Sequence, residues 1–200
     1  MGEAARVRRA MTVDEFLELD FDDDLRYELI DGEVVAQASP LPEHSTIQSA
    51  LDRHIGNALE KRNQRDKTAC RTMTEAGIPT PLDPRHNWRQ ADIAVTCEPH
   101  VRGRKYTLLP ILLVEILSPD DEAKQRAKLQ VYAALSSVRE ILFVDSRCLR
   151  AEIHRRQADG MWPPEPEIVV GDEPLRLETC GMEVPLSACY PFLNLPIGER

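Results

Sequence analysis

The stretch Ile111-Leu112-Leu113-Val114-Glu115-Ile116-Leu117-Ser118-Pro119 constrains this chain's fold more than any other. An apolar run of this length reads as a central strand covered on both faces. Glu115 sits inside it. A buried ionised carboxylate is costly unless it is paired or holds a metal. The strand therefore points to a metal site, to a salt bridge with an arginine, or to a carboxyl at its wet end.

The surrounding patterns place that strand in a mixed α/β domain. Thr12-Val13-Asp14-Glu15 reads as a capping box opening a short helix through about Leu19. Residues 27–30 and 33–36 flank Asp31-Gly32, a pair suited to the type I′ turn of a β-hairpin. Ile47, Leu51, Ile55 and Leu59 recur every four residues and predict a helix over 44–63. Strands are expected at 68–75, 91–96, 110–117, 139–145 and 149–155, and a second long helix at 121–135. Prolines 163, 164, 166 and 174 predict a loop-rich C-terminal third with short edge strands. Residues 1–10 read as a flexible tail and 11–200 as one domain, a length that can bury a real core. The order of elements is that of a mixed α/β single domain.

No apolar run reaches membrane-spanning length; the longest, 108–116, is interrupted by Pro110 and Glu115. Arg6, Arg8 and Arg9 precede no apolar signal-peptide core, so a cytoplasmic location is expected. The five cysteines are scattered, odd in number and never spaced C-x-x-C, which predicts reduced thiols and neither a disulfide nor a zinc site. The net charge of −9 argues against a general nucleic-acid binder. That charge sits at the ends: residues 25–156 carry 18 acids against 20 bases.

Asp92 stands at the entrance of a short apolar strand, where it can face a carboxylate on a neighbouring strand. Two such acids and a backbone carbonyl offer hard oxygens suited to Mg²⁺ or Mn²⁺; alone, Asp92 reads better as a turn cap. Lys128, one helix downstream of Glu115, has the charge to orient a nucleophile or offset phosphate, although most helix lysines are simply solvated. His44 at a helix start reads as a surface histidine, and Glu28, on an edge-like strand, as an exposed carboxylate. Arg102, Arg104 and Lys105 offer phosphate contacts but read better as a solvated loop.

The ordered set YELIDGEVV, PEHSTIQSALDRHI, ADIAV, LLVEILSP, KLQVYAAL and REILFVD resembles the Uma-type family of restriction endonucleases, within the PD-(D/E)XK nuclease superfamily. The resemblance runs from about Met11 to Leu195. It implies an α/β fold with a restriction-endonuclease-like core, a mixed central β-sheet flanked by helices, and a divalent metal held by Asp92, Glu115 and the carbonyl of Ile116. It also implies that Lys128 stands in for the lysine normally two residues after the glutamate, a slot filled here by Leu117. Glu28 and His44 match family positions near the site and take supporting roles; the Ser118 hydroxyl serves the site or caps the turn. Ala91 replaces the superfamily's proline, and Lys124 stands where the family often has an acid. The implied activity is metal-dependent phosphodiester hydrolysis, with DNA as the substrate by family analogy. The rival is an inactive nuclease-fold protein that binds protein or nucleic acid. Restriction-type enzymes often pair as homodimers to cut both strands, and nothing in the sequence marks a dimer face.

Overall fold

The computed structural model describes residues 9–23, 25–118 and 122–199. Ten strands and three helices follow one another as α1 (Val13–Leu17), β1 (Arg26–Ile30), β2 (Glu33–Gln37), α2 (Pro42–Asp66), β3 (Arg71–Pro79), β4 (Trp88–Thr96), β5 (Pro110–Leu117), α3 (Glu122–Ala133), β6 (Glu140–Asp145), β7 (Arg150–Arg155), β8 (Glu167–Val170), β9 (Pro174–Leu177) and β10 (Met182–Pro185). A 3-10 turn at Leu186–Cys189 follows.

Eight strands make one mixed sheet in the order β2-β1-β4-β5-β6-β7-β8, with β3 also paired to β4. Only β5 and β6 run parallel, and α3 is the crossover between them. The Asp31-Gly32 turn closes β1 onto β2 with φ of 50° and 79°, the positive angles such a tight turn needs. β1 is not an edge strand, contrary to expectation. It lies between β2 and β4, because Leu29 pairs with Trp88.

The sheet is covered on both faces, as the apolar run of β5 requires. On one face the α2 stripe Ile47, Leu51, Ile55 and Leu59 packs on Ile93, Val95, Leu112 and Val114, together with the β9–β10 hairpin. Each such side chain contributes about 1.5–3 kcal/mol by leaving water. On the other face Val131, Tyr132 and Leu135 cover Leu113, Ile141 and Phe143. Glu140, at the start of β6, is buried and accepts Arg155 Nε and the Glu178 and Thr179 amides at 2.8–3.0 Å, which ties that hairpin to the sheet.

Several boundaries moved for local reasons. α2 starts two residues early because Pro42 is pre-shaped for the first helical turn. β3 is shifted toward the C-terminus and runs to Pro79, where it pairs with Trp88. Of the expected tail, residues 1–8 fall outside the described residues; Arg9 pairs with Glu15, and Ala10 lies against Gly32. Asp121, the expected first residue of α3, also lies outside them. The expectation of reduced thiols is corrected at one place: Cys70 and Cys97 form a disulfide. They are 27 residues apart in sequence, but the β3–β4 register that pairs Arg71 with Thr96 makes them the next facing positions. Cysteine spacing alone could not show that register. No helix among the described residues is long and apolar enough to cross a membrane.

Candidate active site

β4 and β5 run together as far as the pair Ile93–Val114. One step beyond, where the strands part, stand Asp92 and Glu115, each 4% exposed. Both line a cleft of about 190 Å³, which Glu28, His44, Ile116 and Lys128 also line. The six residues that the resemblance assigns to catalysis or metal binding thus line one cavity, and Ser118 lines it too.

Asp92 is gripped on every side. Its Oδ2 accepts the Ile116 amide at 2.7 Å and lies 3.1 Å from His44 Nε2, while Oδ1 accepts Arg26 Nη1 at 2.9 Å. Burial would raise its pKa, but His44, Lys128 and the Ile116 amide outweigh burial and pull it down to about 2. Glu115 goes the other way. Burial pushes its carboxyl up to about 8, and the charge of Asp92 adds to the rise, against the pull of Lys128 and Tyr132.

Lys128 Nζ lies 2.7 Å from Glu115 Oε2, 3.3 Å from the Gln90 carbonyl and 3.5 Å from Glu28 Oε1. Burial disfavours its charge, yet Glu115, Glu28 and Asp92 prevail and hold its pKa above the ordinary lysine range. Lys128 keeps its proton; the charge state in the balance near neutrality is that of Glu115. Four residues along α3, on the same helix face, the Tyr132 hydroxyl donates to Glu115 Oε1 at 2.5 Å. Burial and the nearby carboxylates hold it as the phenol.

Glu28 and His44 are not the surface groups their local sequence suggests, being 2% and 4% exposed. Glu28 Oε1 accepts the Gln90 amide at 2.9 Å. Arg104 is not free for phosphate either: it pairs with Glu98 at 3.0 Å and lies over the Tyr106 ring. Arg102 and Lys105 are exposed, as a solvated loop would leave them. The Lys124 side chain lies outside what is described.

Three site residues were given no role from the sequence, although Tyr132 belongs to the K-x-x-x-Y spacing of the resemblance. Arg26 alternates with Glu28 on β1, so period two already placed it on the same face. Tyr132 follows Lys128 at helical spacing. Gln48, which donates to Glu75 Oε1 at 2.8 Å and to the Asp92 carbonyl at 2.9 Å, is one turn past His44.

The donor set suits a small hard cation. Of the roughly four lone-pair positions on a carboxylate, Asp92 uses three and Glu115 two among the described residues. Ile116 turns its amide toward Asp92, and an extended residue turns its carbonyl the same way. Among the described residues, no three His, Cys, Asp or Glu side chains form a ready metal cage. Mg²⁺ does not need one, since it keeps several waters and takes one or two carboxylates.

Sheet order, crossover helix and cleft together define a nuclease-like α/β fold of the restriction-endonuclease type. The chain is similar over 90% of its length to the crystal structure of a "putative nuclease belonging to DUF820" from Anabaena variabilis, with a TM-score of 0.68 and 97% of that chain covered. At 19% identity that likeness is one of fold. The family model Uma2, described as "Putative restriction endonuclease", matches residues 13–187, and the chain belongs to that family. An uncharacterized protein of Synechocystis sp., slr1290, is 27% identical over 139 residues, 68% of this chain and 70% of that protein.

Proposed function

We propose that the cleft is the active site of a divalent-metal-dependent nuclease that hydrolyses phosphodiester bonds in DNA. The observation that carries this reading is the meeting of Asp92, Glu115 and Lys128 from β4, β5 and α3 at one cavity, with the two carboxyls driven in opposite directions. The Asp92 and Glu115 carboxylates and the Ile116 carbonyl are the ligands for Mg²⁺ or Mn²⁺. Such an ion supplies Lewis acidity toward a phosphate oxygen and a lowered pKa for water.

The protein's own groups do the rest. Lys128 presents a protonated Nζ beside Glu115, positioned to orient a water or offset charge growing on the phosphate. Tyr132 fixes the Glu115 carboxyl from the other side, and His44 and the Ile116 amide fix Asp92. Glu28 anchors the Gln90 backbone and adds charge complementarity to Lys128.

The test is cleavage of plasmid, linear duplex and RNA with Mg²⁺, Mn²⁺ or chelator, for wild type, Asp92→Asn and Lys128→Met. Cleavage should need the ion and vanish in both variants. Calorimetric Mn²⁺ binding should be lost in Asp92→Asn and kept in Lys128→Met. Chelator-insensitive cleavage would sink the reading. Binding without cleavage under every ion would leave a nuclease fold that serves as a binding module.

A further inference from the structure

We infer that Arg26 is a ligand for a nucleic-acid phosphate at this cleft, held in position by Glu75; this rests on the nuclease reading above. Three cations stand among the site carboxylates. Lys128 Nζ is hydrogen-bonded to Glu115 and the Gln90 carbonyl and lies 3.5 Å from Glu28. Arg89 is 8% exposed and does not line the cleft. Arg26 does line it, with a side chain 22% exposed.

Arg26 spends little of its hydrogen-bonding capacity. Its contacts to Glu75 Oε2 at 2.6 Å and Asp92 Oδ1 at 2.9 Å both use Nη1. Among the described residues Nη2 makes no hydrogen bond and is not buried, while Nε is buried without a partner. A guanidinium carries five N–H donors in a rigid fork that matches phosphate. Two carboxylates on one nitrogen fix the plane of that fork and leave Nη2 for an anion entering the cleft.

Glu75 is built for the holding role. It stands opposite Asp92 at the one interruption of the β3–β4 ladder, between the pairs Thr74–Ile93 and Ala76–Ala91, with a φ of 52°. A positive φ away from glycine costs about 1–3 kcal/mol and turns the backbone out of the regular ladder. Gln48 holds the other Glu75 oxygen at 2.8 Å. Glu75 is 36% exposed at its side chain against 6% for Asp92, so it is the partner that can turn to water when a phosphate draws on Arg26.

The experiment is anisotropy of a labelled DNA duplex over a salt series, with Ca²⁺ as the non-hydrolysing ion. Arg26→Gln should reduce the magnitude of the log Kd against log salt slope by about 0.9, the value of one lost phosphate contact. A mere counter-ion for Asp92 and Glu75 would alter stability or calorimetric Ca²⁺ affinity and leave the slope unchanged, which overturns the inference. Should the glutamine variant not fold, Arg26→Lys carries the test: the slope is kept and affinity falls several-fold, because the charge stays and the fork goes. Unchanged affinity in Arg26→Lys overturns it. A wild type that binds no duplex defeats the nuclease reading and this inference with it. Wild-type binding with an unaltered slope in Arg26→Gln defeats the Arg26 role alone.

Discussion

Lys128→Met replaces the site's buried ammonium by an apolar side chain of similar length, so the packing along α3 is largely kept. At an effective dielectric constant of ~20, contacts of 2.7 Å to Glu115 and 3.5 Å to Glu28 are worth about 6 and about 5 kcal/mol gross. Desolvation cancels much of that, and removing one partner of a buried pair typically costs about 3–5 kcal/mol. Glu115 limits the damage, because burial already favours its neutral form and the loss of the ammonium's pull favours that form further. A loss of about 2–3 kcal/mol at pH 7 is expected, below the typical range for the reason just given. Urea denaturation of Lys128→Met, Glu115→Gln and the double variant measures it. The double variant should be less destabilised than the sum of the singles by about 1–3 kcal/mol, the coupling expected of groups in contact. A Lys128→Met protein within about 0.5 kcal/mol of wild type would behave like a surface substitution and refute the buried pair.

Three further outcomes are expected. Burial would raise the pKa of Glu98, but Thr107, the Leu109 and Leu108 amides and Arg104 hold it near 2, against an ordinary 4.5. Its contribution is therefore full above pH 4.5 and lost as pH falls through about 2, so Glu98→Gln should cost about 1–2 kcal/mol at pH 6 after solvent screening, with the gap closing in acid urea titrations. Gly77→Ala would place a Cβ 2.1 Å from Trp88 Cζ2; a loss of about 1–3 kcal/mol is expected, with an altered near-UV signal from Trp88. Tyr132→Phe leaves Glu115 Oε1 without its 2.5 Å donor, and thermal unfolding should register about 1–3 kcal/mol.

The elements most legible in the sequence were those whose pattern is local. The Thr12–Glu15 capping box, the Asp31-Gly32 hairpin and the β5 run stand as read. What depended on register was not legible. β1 became interior through a single pairing with β4, and this buried Glu28, whose own strand looked exposed. His44 likewise reads as a surface histidine until α2 packs against the sheet and brings it to Asp92. The disulfide and the placing of Glu75 opposite Asp92 belong to the same class, since both follow from how β3 lies against β4. Period two on β1 and helical spacing on α3 were available for Arg26 and Tyr132, but neither residue type draws attention without a partner in view.

Register also changes the electrostatics of substrate entry. With only Glu28, Asp92 and Glu115 in view, an empty site should repel phosphate strongly, and nucleic-acid binding should rise steeply once Mg²⁺ or Mn²⁺ is present. Among the described residues, and with every group ionised, the folded site sets four carboxylates, Glu28, Glu75, Asp92 and Glu115, against three cations, Arg26, Arg89 and Lys128. The excess is one negative charge rather than three. One unit charge at 4 Å is worth about 4 kcal/mol at a dielectric constant of ~20, on the order of a thousandfold in Kd. Titrating labelled duplex with and without Ca²⁺ should therefore give a gain of at most about that size. A far larger gain would mean that Arg26 and Arg89 are fully spent on their carboxylates, and that the approaching phosphate meets the bare acids.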